Sequence, residues 1–253
     1  MRRLLRAGLT CAYATALIGA AAQAAHADAP LSLRPLGAHR PLANERLSDE
    51  RRLTRYANAV GRAAIRTWPS ATAPAVARLR YQTEDGPLEI YPVLESRVDT
   101  AGCTWLRVRV PMRPNGRTGW VRRQALGPLS AVRTRLRVNR ATLRATLYRD
   151  GRRIWTSRIG VGAAATPTPA GRFWIRTRLR ALAGGTIYGP YAFGTGAYSV
   201  LSDWPGGGVI GIHGTNQPQL IPGRPSHGCI RVPNHNIRRL AQLMPIGTPV
   251  QIL

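Results

Sequence analysis

Toward its C-terminus the chain brings a thiol and two imidazoles into one short stretch. It reads His213-Gly214-Thr215-Asn216 and then, with twelve residues between His213 and Ser226, Ser226-His227-Gly228-Cys229-Ile230-Arg231. A thiol attacks a carbonyl as its thiolate, and an unperturbed cysteine, with a pKa of about 8.5, is mostly protonated at neutral pH. A neighbouring imidazole can take that proton, and converging backbone N–H groups can hold a developing oxyanion. Gly228, beside Cys229, lets the backbone approach a substrate oxygen closely. Residue types and spacing are those of covalent acyl transfer. Two blander readings stand beside this one. A lone cysteine is commonly a small buried apolar group. His213, His227, Cys229 and His235 could also form a zinc set. Against zinc, His227 and Cys229 are closer together than the ligand pairs of most structural sites. Second-shell acceptors are scarce too, since Asp203 is the only carboxylate after Asp150. No metal and no cofactor are expected.

The elements that must position these groups can be read around them. Gly208-Val209-Ile210-Gly211-Ile212 is a short apolar, β-branched run that predicts a buried strand delivering His213 at its end. After Cys229, Asn234 or Asn236 is placed to N-cap a short helix. Ile237, Leu240, Ala241 and Met244 fall at i, i+3, i+4 and i+7 and make one apolar face. Pro245 and Gly247 stop that helix, and Pro249 to Leu253 is predicted to return as a strand. Cys229 then lies near a helix's positive end, which favours a thiolate.

The stretch 134–253 resembles the catalytic (YkuD) domain of bacterial L,D-transpeptidases. The signature is a strand ending in His-Gly, a variable loop, then Ser-His-Gly-Cys followed by an apolar residue and Arg or Asn; here these are His213-Gly214 and Ser226 to Arg231. Thr168-Pro169-Ala170-Gly171-Arg172-Phe173 resembles the family's Thr-Pro-x-Gly-x-Phe turn, and Gly247-Thr248-Pro249-Val250 resembles its closing strand. One departure is Asn236, where the family often carries an acidic residue. The resemblance implies a mainly β, sandwich-like catalytic domain with a short C-terminal helix. Cys229 would be the nucleophile, His213 the general base and His227 a supporting group. Gly228 and Cys229 N–H groups would line the oxyanion hole, Ser226 and Gly214 would shape the site loops, and Arg231 would hold the loop or meet a substrate carboxylate. Tyr191, in a glycine-rich stretch ahead of the His213 strand, is a candidate for the acyl-donor pocket.

Composition frames that chemistry. All 37 basic residues are Arg, against 11 acidic ones, for a net charge of +26. Without Lys there is neither a Walker-type phosphate loop nor Schiff-base catalysis. So few carboxylates argue against a two-carboxylate glycosidase or a carboxylate-rich metal site. The charge favours anionic surroundings, and with no aromatic stacking platform among the arginines these are read as cell-envelope polymers, not nucleic acid. Residues 1–27 read as a signal peptide: a basic start at Met1 to Arg6, an Ala-rich apolar stretch, and Ala25-His26-Ala27 as the cleavage site. An uncleaved anchor is the alternative; after cleavage no membrane span is expected. Cleavage removes Cys11 and leaves Cys103, expected to be a separate buried thiol, and Cys229.

Residues 28–58 are read as a linker or arm, with a short helix possible within 47–62, where Ser48 would be the cap. Residues 59–128 change to short β runs with an Asn115-Gly116 turn and resemble small SH3-like β-barrel domains in their Trp105 and Gly119-Trp120-Val121 strands. That domain would either bind the wall or orient its neighbour. Asp150-Gly151 signals a hairpin in the C-terminal domain. The family resemblance thus points to an exported, monomeric peptidoglycan L,D-transpeptidase. It would take a donor tetrapeptide stem, form a thioester on Cys229, and pass it to the side-chain amine of another stem peptide as a 3→3 cross-link. An L,D-carboxypeptidase using the same site and a non-catalytic wall-binding protein are the alternatives.

Overall fold

The computed structural model describes residues 44–180, 187–203 and 205–253. The signal segment 1–27, Cys11, the start of the arm and Trp204 lie outside the described residues. Both sheets belong to one compact unit, Arg40–Leu253.

The N-terminal sheet is antiparallel throughout. Its strands are β1 (Glu45–Arg46), β2 (Thr54–Asn58), β3 (Ala64–Arg66), β4 (Ala75–Arg78), β5 (Ile90–Val98), β6 (Thr104–Arg109), β7 (Thr118–Arg122) and β8 (Ser130–Val132). They run in the order β4-β3-β7-β6-β5-β2-β8, with β1 also on β5. β1 and β2 thus fall within the stretch read as an arm. No helix forms over 47–62. Ser48 Oγ accepts the Arg55 N–H at 2.8 Å and donates to the Val93 carbonyl, so it ties two strands together instead of capping. Asp49 Oδ1 accepts the N–H groups of Arg51, Arg52 and Leu53, turning the chain into β2. Gly116 (φ +86°) makes the expected tight turn into β7. Leu47, Ile65, Val93, Leu106, Val108 and Val121 are among the residues of this sheet's core.

The C-terminal sheet contains β9 (Thr134–Asn139), β10 (Arg144–Arg149), β11 (Arg152–Arg158), β12 (Gly160–Gly162), β13 (Gly171–Arg180), β14 (Tyr191–Tyr198), β15 (Val209–His213), β16 (Gly223–Ser226), β17 (Ile230–Arg231) and β18 (Pro249–Ile252). Their order is β11-β10-β9-β18-β13-β14-β15-β17-β12-β16. The β10–β11 hairpin turns at Asp150 (φ 51°) and Gly151 (φ 82°), the two positive φ angles that an Asp-Gly turn supplies at low cost. The closing strand β18 lies parallel to β9 and antiparallel to β13, so it stitches the two halves of the sheet.

The single α-helix among the described residues, α1 (Asn234–Leu243), packs its apolar stripe inward: Ile237, Leu240 and Ala241 are buried, and Met244 continues the row. Neither Asn caps it. The residue before the helix is Pro233, with no side-chain cap. Asn234 Oδ1 accepts the Thr215 N–H at 2.9 Å, and Asn236 Nδ2 donates to Ser157 Oγ at 2.9 Å. Both amides fasten the helix to neighbouring loops.

The two sheets meet at a polar junction on β13. Trp174 Nε1 donates to the Ile90 carbonyl at 3.1 Å. Arg176, 2% exposed, forks onto Glu89, 0% exposed, and reaches Glu84 Oε2 at 2.8 Å. Arg80 pairs with both carboxylates from the outside, and the Tyr198 hydroxyl donates to Glu84 Oε1 at 2.7 Å.

Candidate active site

β15 carries His213 at its C-terminal end, and parallel pairing with β17 sets Ile212 beside Ile230 and His213 beside Arg231. That register brings Cys229, the residue just before β17, back to β15. The Gly211 N–H donates to Cys229 Sγ at 3.3 Å. A Cβ on Gly211 would lie 3.5 Å from His213 Cδ2 and 3.7 Å from Cys229 Sγ, so thiol and imidazole both border a position that carries no side chain. The hydrophobic run 208–212 was legible as a strand; that its second glycine opens space between the reacting groups was not.

His213 is buried, and its Nδ1 sits 2.6 Å from the Gly214 carbonyl. A carbonyl only accepts, so Nδ1 carries the proton and Nε2 presents its lone pair. Burial drives the His213 pKa down to about 4, helped by the Arg231 charge and opposed by the Gly214 hydrogen bond. Burial likewise pushes the Cys229 thiol up, against the Gly211 hydrogen bond and the Arg231 charge. The resting pair is therefore a neutral thiol beside a neutral imidazole, not the thiolate expected from a helix end. Between Cys229 and α1 the chain first runs through β17 and Pro233.

The turn that carries Cys229 is held from several sides. Gly228 adopts φ +123°, and a Cβ there would come within 2.8 Å of Ile210 Cδ1, so both backbone and packing require glycine. Ser226 is buried; its Oγ donates to the Cys229 carbonyl at 2.6 Å and accepts the Gly228 N–H at 3.2 Å. The Gly228 N–H is thus engaged within the turn. No acceptor for the Cys229 N–H is found among the described residues. Thr168, from the Thr-Pro-Ala-Gly segment, donates to the Gly228 carbonyl at 2.7 Å and accepts the Gly162 N–H. Ser199 Oγ donates to the His227 carbonyl at 3.2 Å. The His227 side chain is exposed, unlike that of His213. Arg231 Nη1 donates to Gln217 Oε1 at 3.1 Å, the loop-holding role. Gly214 packs against Gly189 and the Asn234 amide, where a Cβ would meet Asn234 Oδ1 at 2.3 Å.

His213 and Cys229 line a cavity of about 260 Å³ whose walls include Leu179, Ala192, Phe193 and Val209. Tyr188 lines it too and stands edge-on to the His213 ring, centroids 4.9 Å apart. Tyr191, the aromatic singled out from sequence, instead packs on the core beside it. Periodicity does not separate these two tyrosines, because both sit in the same glycine-rich stretch. Ser199, Thr168 and Gly211 were missed as site residues for a related reason: their roles come from long-range pairing. A second cavity, enclosing about 10 Å³ near Glu50 and Arg172, holds none of the reactive groups.

Cys103 and Cys229 are both free. Cys103 is half-buried, not fully buried, because it sits beside the exposed 99–102 turn. Among the described residues no three His, Cys, Asp or Glu side chains gather as a metal ion would need.

The N-terminal sheet also reaches this region. Arg113 donates to the carbonyls of Ser199, Leu201 and Gly207 at 2.9–3.2 Å, and its guanidinium lies over the Tyr198 ring. Asn115 brackets Tyr198, donating to its carbonyl at 2.8 Å and accepting its N–H at 2.9 Å.

Residues 133–252 match the model of the L,D-transpeptidase catalytic domain, YkuD. A Bacillus subtilis protein named "Putative L,D-transpeptidase YkuD" is 40% identical over 108 residues, covering 42% of this chain and 58% of that protein. Another from the same organism, "Putative L,D-transpeptidase YqjB", is 30% identical over 124 residues, covering 46% of this chain and 68% of that one. The chain therefore spans little more than half of the first of these relatives. The solved catalytic domain of the Enterococcus faecium L,D-transpeptidase is 25% identical, covering 47% of this chain and 96% of that domain, with a TM-score of 0.37, too low to add to the comparison.

Proposed function

The chain belongs to the YkuD family of L,D-transpeptidase catalytic domains, and from that membership and the site geometry we propose that it is a peptidoglycan L,D-transpeptidase working through a Cys229 thioester. Support comes chiefly from the placement of Cys229 Sγ and the His213 ring close to Gly211 in one cavity, with the His213 tautomer set by Gly214. A donor stem peptide would lie over Gly211. As Sγ attacks the donor carbonyl, its proton passes to His213 Nε2 and on to the leaving amine; the S–C bond forms and the C–N bond to the terminal residue breaks. The Cys229 N–H is placed to stabilise the oxyanion. In the second half an acceptor amine attacks the thioester, His213 takes its proton, and the thiol is restored. Neutral resting groups suit this: proton transfer accompanies attack, and no buried ion pair must be maintained beforehand.

The finer reading is a 3→3 cross-link made outside the cytoplasmic membrane. The basic-then-apolar N-terminus supports export, and among the described residues no helix is long and apolar enough to cross a membrane. The N-terminal sheet is read as a module that orients the catalytic one, since Arg113 and Asn115 grip the strand end next to the nucleophile turn. Mass spectrometry of products from purified disaccharide-tetrapeptides tests the whole. A cross-linked dimer supports the transferase, tripeptide alone means that water resolves the thioester, and neither product, with no mass increase on Cys229, overturns the enzyme reading.

A further inference from the structure

Beyond Asp150 the catalytic sequence carries a single carboxylate, Asp203, which is exposed in a loop. The catalytic cavity nevertheless has an acidic group on its wall, Asp85, and the N-terminal sheet supplies it. Asp85 stands at the tip of a hairpin closed by the Gln82–Leu88 bridge, in a turn where the Gly86 N–H donates to the Thr83 carbonyl at 3.1 Å and Gly86 takes φ +93°. The tip is anchored: the adjacent Glu84 is held by Arg176 and by the Tyr198 hydroxyl. Asp85 is thereby set over β14, its Oδ2 3.8 Å from where a Cβ on Gly194 would stand. Gly194 lines the same cavity.

Among the described residues, Asp85 is the only formally charged one lining this cavity at neutral pH, because burial keeps His213 uncharged there. In a chain with 37 arginines, no arginine pairs with Asp85, and no hydrogen bond satisfies its carboxylate among the described residues. Five of the ten described side-chain carboxylates are paired with arginine: Glu50 with Arg109, Glu95 with Arg107, Asp150 with Arg133, and Glu84 and Glu89 at the junction. Asp85 is exposed, and on the rim of a cleft lined mainly by apolar side chains its free carboxylate is placed to meet a cation that arrives with the substrate.

We propose that Asp85 is a substrate-binding residue that takes a primary ammonium group of a stem peptide, so that the catalytic cleft is a composite of both sheets. This rests on the transpeptidase reading, in which one amine must approach the thioester. The ammonium belongs either to the donor's third-residue side chain or to the incoming acceptor. In both cases the carboxylate would hold the charged form at the mouth of the cleft; an acceptor ammonium would release one proton to solvent before attack, and the amine's second proton would pass to His213 as the amide forms.

The full-length protein and its Asp85→Asn variant separate these cases. Asn keeps the shape and turn preference of Asp and removes the charge. In the donor arm, thioester formation is followed by intact mass for a tetrapeptide with a free side-chain amine and for its Nε-acetylated form. In the acceptor arm, dimer yield from preformed thioester is followed against acceptor concentration. The wild type should prefer the free amine, or show the lower half-saturating acceptor concentration, by about tenfold, and Asp85→Asn should abolish that advantage in one arm. The arm that changes identifies whose ammonium is bound. If the wild type forms thioester but Asp85→Asn alters neither arm, the Asp85 proposal falls while the catalytic reading stands. If the wild type forms no thioester at all, the transpeptidase reading fails first.

Discussion

Two buried clusters of ionisable groups sit close together in this molecule, and burial has opposite outcomes in them. At the junction of the sheets, burial pushes the Glu84 carboxyl up, yet the Tyr198 hydrogen bond and the Arg176 and Arg80 charges outweigh it and leave the group near about 2. Arg176 is kept charged by Glu89 and Glu84 in spite of its own desolvation. In the cleft that holds His213 and Cys229, burial outweighs what opposes it: the Gly214 hydrogen bond at the imidazole, and the Gly211 hydrogen bond and the Arg231 charge at the thiol. His213 falls to about 4 and Cys229 rises, so both rest neutral. Loss of water is common to the two places; whether hydrogen bonds and charges outweigh it decides which groups rest charged and which rest neutral. The first cluster fixes the sheets to each other, and the second keeps its protons available.

That contrast can be broken most forcefully at the thiol. Cys229→Ser should lower the rate of product formation by about 10⁴-fold or more with no change in melting behaviour, since a hydroxyl cannot replace a thiol at a site built for sulfur. Cys103→Ser should leave the rate within about twofold. Comparable rates for wild type and Cys229→Ser would remove the covalent mechanism. His213→Ala should slow acylation of Cys229 by about 10²- to 10⁴-fold. His227→Ala should be milder, since that side chain is exposed; intact-mass kinetics with a reactive acyl donor would show whether the two imidazoles are assigned the right way round.

At the junction the expected loss is in stability. Glu89→Gln leaves the Arg176 charge buried with half its partners and should cost about 3–5 kcal/mol in denaturant unfolding. An unchanged midpoint would mean that the pair is not the strut described.

The cleft should also leave a mark on the pH dependence. His213 binds its proton at about 4 in the folded protein and near 6.5 when unfolded. Over that window the unfolded chain takes up the proton first. Stability is therefore intact above about pH 6.5 and falls as pH drops toward 4, by up to about 3 kcal/mol. Replacing His213 with Gln should flatten that slope, and an unaltered slope would place the titration elsewhere. The smallest effect is expected from Arg113→Ala. It releases three carbonyls next to the nucleophile turn and should slow acylation several-fold without altering the pH profile, the mark of positioning as opposed to proton transfer.

Much of this was legible in the residues. The His213 strand, the Asp150-Gly151 hairpin, the stripe Ile237-Leu240-Ala241-Met244 and the closing strand all follow from local period and turn chemistry, because each is decided within about ten residues. The Cys229 and His213 pair was visible for the same reason: its motif is contiguous on either side of one loop. Local signals misled where a side chain had a distant partner. Ser48 looked like a cap and proved to be a link to Val93 and Arg55, and Asn234 proved to be a link to Thr215.

By itself the sequence determined the reactive groups, the strands and helix that carry them, and the shortage of carboxylates that leaves the catalytic half dependent on its neighbour. Only the tertiary structure decided that β17 lies parallel to β15, so that the thiol and the imidazole both come within 4 Å of a Cβ position at Gly211. It alone decided that burial outweighs the opposing contacts and leaves both neutral, that Tyr188 and not Tyr191 stands against His213, and that Asp85 reaches the cleft from the other sheet. Those outcomes depend on pairings between residues tens of positions apart and on the water such pairings exclude, and neither quantity is encoded in any local window of the chain.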